Sequence, residues 1–112
     1  MIQAIRAAFE RLFFIKKMET KLEISLNMKR CKGIETYGCF DIGNDPKFAL
    51  ELFDSLEGSK QVSPESVMTV DLVKREHGIP YPLALKHCTL EQLGTNVKHI
   101  TKELFKRVNL EG

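Results

Sequence analysis

Residues 89–108 read TLEQLGTNVKHITKELFKRV. Leu90, Leu93, Val97, Ile100, Leu104 and Val108 recur at steps of three and four, with Phe105 beside them, so one apolar stripe runs along an otherwise charged helix. Thr89 and Gln92 stand at capping-box spacing, where a hydroxyl and an amide each satisfy an orphan backbone N–H and mark the helix start. Such a stripe must be covered, and the chain before it supplies the covering surface.

That surface reads as a sheet. From Leu22 the period falls to two, with Leu22, Ile24, Leu26 and Met28 alternating with Glu23, Ser25 and Asn27, as in a strand with one face on a core. Residues 29–33 form a turn in which Gly33 is free to take positive φ. The returning strand, residues 34–42, places Ile34, Thr36, Gly38, Phe40 and Ile42 on one face and Tyr37 and Cys39 on the other, with Gly38 as a candidate bulge.

Asp45 then suits an N-cap and Pro46 the first helical position, where its missing N–H costs nothing. Phe48, Ala49, Leu52, Phe53 and Leu56 form the apolar face of this helix, and Gly58 suits a left-handed C-terminal cap. Residues 59–66 are polar, contain Pro64 and read as a surface loop. A third strand turns Met68, Val70 and Leu72 inward against Thr69, Asp71 and Val73. In the fourth, residues 79–88, Pro80 and Pro82 remove N–H donors that point the same way, which marks a sheet edge, and Leu83, Leu85 and His87 share a face.

The order is therefore ββαββα, an α+β two-layer sandwich. A four-stranded, mainly antiparallel sheet carries two helices on one face, with strand order 2-1-3-4 from a right-handed crossover. Gly33-Ile34 and Gly78-Ile79 enter the two returning strands alike and suggest an internal repeat. At 112 residues the chain has room for one domain, residues 18–112, preceded by residues 1–17. The face opposite the helices is expected to carry Glu23, Ser25, Asn27, Tyr37, Thr69, Asp71, Val73, Ala84 and Lys86.

Residues 1–17 form an amphipathic pattern of their own, with Ile2, Ile5, Phe9, Leu12 and Phe13 on one side. Arg6, Arg11, Lys16 and Lys17 against Glu10 give this segment +3, which leaves −1 for the rest of a chain whose net charge is +2. The segment suits an anionic membrane surface, docking on the body or a partner, or an extension upstream of a true start at Met18. A near-neutral body lacks the clustered basic excess of most phosphate-binding surfaces. The odd set Cys31, Cys39 and Cys88 fits a reducing compartment, hence the cytoplasm.

Little in the sequence converges on chemistry. His77, His87, His99 and the cysteines show no metal-ligand spacing, and Asp41 and Asp45 are explained by turn and cap chemistry rather than a cation loop. Cys88 precedes the last helix, where a dipole can activate a thiol, yet the sequence names no base or oxyanion donors beside it. No catalytic residue, metal or cofactor is expected, and no small-molecule substrate is indicated. The expected function is an intracellular interaction module acting through a protein partner or a second copy of itself, with Tyr37, Asp71 and Val73 as contact residues. The alternatives are nucleic acid binding through Lys98, Lys102, Lys106 and Arg107, and membrane association through residues 1–17.

Overall fold

Along β1 (Thr20–Arg30), Leu22, Ile24 and Leu26 are buried while Glu23 and Ser25 stay half-buried, so the period-two pattern decides which side of the strand meets the core. The computed structural model describes residues 20–111, and the helix expected over residues 1–17 lies outside them. After β1 come β2 (Gly33–Asp41), α1 (Pro46–Asp54), β3 (Met68–Glu76), β4 (Ile79–Cys88) and α2 (Leu90–Glu111). The strands form one antiparallel sheet in the order β2-β1-β3-β4, as the sequence predicts.

Ala49, Leu52, Phe53 and Leu56 pack with Ile100 of α2 and with Leu22, Ile24, Leu26, Val70 and Leu72 of the central strands to form the core. Each such aliphatic side chain contributes about 1.5–3 kcal/mol by leaving water. The helices run antiparallel. Arg107, near the end of α2, reaches Asp45 at the start of α1 with Nη2 3.4 Å from Oδ2, and its guanidinium lies 4.1 Å from the Phe48 ring centre. At the other end, His99 Nε2 lies 2.9 Å from Ser55 Oγ.

The apolar stripe of α2 is covered only in its middle. Leu93, Val97 and Leu104 pack against the core beside Ile100, whereas Leu90, Phe105 and Val108 are exposed. With 22 residues α2 is about 33 Å long, against about 14 Å for the nine residues of α1, so its ends overrun the layer that could cover them.

Both helix starts are capped as the sequence predicts. Asp45 Oδ1 accepts from the N–H groups of Lys47 and Phe48, with Pro46 opening the helix. In the reciprocal box at α2, Thr89 N–H donates to Gln92 Oε1 at 3.0 Å and Gln92 N–H to Thr89 Oγ1 at 3.2 Å.

The end of α1 differs from expectation. The helix stops at Ser55, and Gly58 is not its cap. Gly58 has φ +148°, and a Cβ there would sit 2.9 Å from Lys86 Cβ and 3.0 Å from the His87 carbonyl oxygen, so glycine is required because the loop crosses close over β4. The carbonyls at the helix end are instead satisfied from the sheet: Lys86 Nζ donates to the carbonyl oxygens of Phe53 at 2.8 Å, Asp54 at 3.3 Å and Leu56 at 2.9 Å.

Lys86 therefore points into the helix layer, not to the opposite face. Register explains it: Ala84, Lys86 and Cys88 pair with Leu72, Val70 and Met68, whose side chains face the helices, while Leu85 and His87 pair with Asp71 and Thr69 and turn away. Large apolar side chains suggested Leu83 and Leu85 for the core. The inward set is instead a small residue, a capping lysine and a buried thiol.

A bulge reassigns faces in β2 as well. Leu26 pairs with Gly38 but Asn27 with Thr36, so Tyr37 is an extra residue and the alternation changes phase. Ile34 and Thr36 consequently share a face with Cys39, away from Phe40. The two Gly-Ile steps are not equivalent either. Gly33 opens β2 opposite Arg30, whereas Gly78 lies inside a two-residue turn with His77, at φ 80° and 52°, the signature of a type I′ hairpin.

Candidate functional site

The face opposite the helices is built from the odd positions of β1 and β3. Glu23, Ser25 and Asn27 stand beside Val73, Asp71 and Thr69 in register, and β2 and β4 add Thr36, Cys39, Leu85 and His87. Because β1 and β3 are the central strands, their outward side chains are hemmed in on both sides. Thr69 is only 2% exposed and Asn27 6%, although both belong to a pattern that reads as solvated.

Hydrogen bonds knit part of this face. Asn27 Oδ1 accepts from Thr36 Oγ1 at 2.9 Å and from Ser25 Oγ at 3.1 Å. Glu23 accepts from Arg75 Nε at 3.1 Å through one carboxylate oxygen and from the Cys39 thiol at 3.2 Å through the other. Lys29 Nζ lies 3.1 Å from His87 Nδ1; an ammonium can only donate, so Nδ1 accepts and the ring proton of a neutral imidazole sits on Nε2.

In the middle of this network two acceptors are left over. Thr69 Oγ1 and Asp71 Oδ1 are shielded from solvent and have no hydrogen-bond partner among the described residues. Buried polar atoms are nearly always paired, and each exception costs about 1–3 kcal/mol relative to a paired state. The two residues are neighbours on one side of β3, with Val73 next in line.

The predicted contact residues are thus only partly brought together. Asp71 and Val73 share the face on β3, but Val73 is 8% exposed, flanked in register by Glu23 and Pro82. Tyr37, 68% exposed, lies two strands away at the β2 bulge. Sequence reasoning missed Thr69, whose signal is its place on a central strand in the predicted order.

The predicted basic row divides. Lys98, Lys102 and Lys106 line a shallow groove on the outer side of α2 with Thr101 and Phe105, and Lys106 lies 3.4 Å from Glu103. Arg107 is engaged by Asp45 and Phe48 on the other side of the helix, so it does not extend the row.

Cys39 and Cys88 sit where thiolates are disfavoured. Burial, reinforced by the hydrogen bond to Glu23 and that carboxylate's charge, pushes the Cys39 thiol up to about 11. Burial also raises Cys88, which donates to the Glu57 carbonyl at 3.3 Å, so its position before a helix does not activate it. Asp41 Oδ1 accepts from Gly43 N–H and Asp45 caps α1, as turn and cap chemistry predicts. Among the described residues no three metal-binding side chains converge, and no helix is long and apolar enough to cross a membrane. Compared with protein-family models, curated proteins and solved structures, the chain shows no significant match.

Proposed function

We propose that the chain is a small binding module that engages a protein partner through the open sheet face around Thr69 and Asp71. The observation that carries this reading is the pair of shielded acceptors at the centre of that face that have no partner among the described residues. A partner that brings hydrogen-bond donors to Asp71 and Thr69, with an apolar group over Leu85, recovers the cost of leaving those atoms unpaired. The surrounding network favours the same use, because Glu23, Arg75, Asn27 and Thr36 hold one another in place and present a preordered rim. The free thiols Cys31, Cys39 and Cys88 support a reducing, intracellular setting for the module.

The test is Asp71→Arg. Native mass spectrometry of the full chain, purified gently from its own cells, is expected to show a protein complex that is absent for the variant, while circular dichroism and melting temperature show the variant folded. A complex with a different protein that survives the charge reversal unchanged would remove the open face from the reading.

A further inference from the structure

The two edges of the sheet are treated differently by the sequence. In β4 the outward backbone positions are Pro80, Pro82, Leu85 and His87, since Tyr81, Ala84 and Lys86 pair across to the β3 residues that face them. Pro80 and Pro82 have no N–H, and His87 exchanges both its backbone bonds with Ser59, at 2.7 and 2.9 Å. This edge is closed by the devices proteins use to prevent strand addition.

The β2 edge has neither a proline nor, among the described residues, a covering strand or loop, and its one interruption is the bulge at Tyr37. Ile42 N–H donates inward to the Leu22 carbonyl and Lys29 N–H donates to Val67 on the β3 side, which fixes the phase of the ladder. Ile34, Thr36, Cys39 and Asp41 therefore direct their backbone N–H and C=O groups outward. No strand or loop among the described residues pairs with them. The strand carries no proline and no lysine, and Ile34 and Tyr37 are exposed.

We propose that this edge pairs with the same edge of a second copy, antiparallel about a twofold axis between Tyr37 and Gly38. The bulge selects the occupant. It puts a step of three residues, not two, between the outward positions Thr36 and Cys39, and a regular strand cannot match that step. A second copy about this axis carries the same step at the same place, so Thr36 faces Cys39 of the other copy and Ile34 faces Asp41, giving about eight backbone hydrogen bonds.

Charge agrees with the register. The hairpin tip that leads into β2 carries Arg30 and Lys32, and the chain at its far end carries Asp41 and Asp45, so antiparallel pairing brings the basic tip of each copy along the acidic end of the other, with Arg30 and Asp45 also engaged within their own copy by Glu35 and Arg107. Glu35 falls opposite Phe40, and no like charges face each other. The pairing uses the edge, not the open face, so it stands or falls apart from the partner-binding reading.

The test is amide hydrogen exchange of the full chain at low and high protein concentration, alongside analytical ultracentrifugation. A dimer is expected at high concentration, with exchange at Ile34, Thr36, Cys39 and Asp41 slowed at least tenfold relative to the dilute protein. Ile34→Pro, which removes an outward donor as Pro80 and Pro82 do, is expected to give a folded monomer. Concentration-independent exchange at those four amides overturns the proposal, as does a monomer at every concentration or a dimer that survives Ile34→Pro. The exchange measurement decides the matter even where the proline variant does not fold.

Discussion

Asn96→Ala removes a side chain that serves the turn after α1 as a further peptide group. Asn96 is 1% exposed; its Oδ1 accepts from Glu57 N–H at 2.7 Å and its Nδ2 donates to the Glu57 carbonyl at 2.8 Å. Two net hydrogen bonds at about 0.5–1.5 kcal/mol each are lost, and the Glu57 N–H is left unpaired at about 1–3 kcal/mol if fully buried, while its carbonyl keeps the Cys88 thiol. The Glu57 residue is exposed, so water recovers part of that cost, and the expected loss is about 2–4 kcal/mol. In urea unfolding with m of about 1.5 kcal/mol/M, this lowers the midpoint by about 1.3–2.7 M at unchanged m. Asn96→Asp keeps the acceptor but turns an oxygen toward the Glu57 carbonyl and buries a charge, so it is expected to cost as much or more. Lys98→Ala, on the exposed side of the same helix, is expected to stay within about 0.5 kcal/mol. A loss below about 1 kcal/mol for Asn96→Ala would refute the claim that this side chain holds the turn to α2.

Thr69→Val keeps the shape of a side chain that is 2% exposed and deletes its unpaired hydroxyl, so urea unfolding is expected to show a gain of about 1 kcal/mol while partner binding weakens. A variant less stable than the parent would mean that the hydroxyl is paired in solution. The Cys39 thiol, raised from 9.0 to about 11 by burial and by Glu23, is expected to resist alkylation at pH 8 and to react faster in Glu23→Gln. Because the folded value lies above the unfolded one, its contribution to stability is intact below pH 9 and is lost as pH rises from 9 to 11. Cys39→Ser is expected to flatten that fall in urea unfolding, and an equally steep fall in the variant would refute the assignment.

Both helix starts and the β4 edge are legible in the sequence because local rules govern them, whereas the strand order rests on the handedness of the crossover, since hairpin periods leave the arrangement of the two hairpins open. Asp45-Pro46 and the Thr89-Gln92 box act within one turn, and Pro80 and Pro82 identify an edge by what their nitrogens lack. Face assignments failed where tertiary contacts override alternation. Gly38 marks the bulge in residues 34–42 but not that Tyr37 beside it is the extra residue, and Lys86 turns inward only because the end of α1 presents carbonyls some 30 residues away in sequence. Gly58 was read as a helix cap because glycine suits one, but its position is set by β4 passing beneath it. For the candidate site, Asp71 and Val73 came from the pattern of β3, while the burial of Thr69 follows from two flanking strands and cannot be read from one.

Polar side chains on the two sides of the sheet serve different ends. In the helix layer each one finishes a piece of backbone: Lys86 closes the end of α1, Asn96 holds Glu57, and Asp45 and Thr89 open the helices. Their removal therefore lowers stability, and selection for folding alone is enough to account for them. On the open face Asn27 and Glu23 are satisfied by other side chains, and two acceptors in their midst find no partner among the described residues. At about 1–3 kcal/mol each, these two take a sizeable share of the roughly 5–15 kcal/mol that holds a domain folded. A partner that pairs both recovers about 2–6 kcal/mol, and since 1.4 kcal/mol is tenfold in affinity, even the lower figure separates a matching partner from a merely adjacent one by more than tenfold. On the proposed reading, stability surrendered in the free chain is in this way returned as discrimination in the complex.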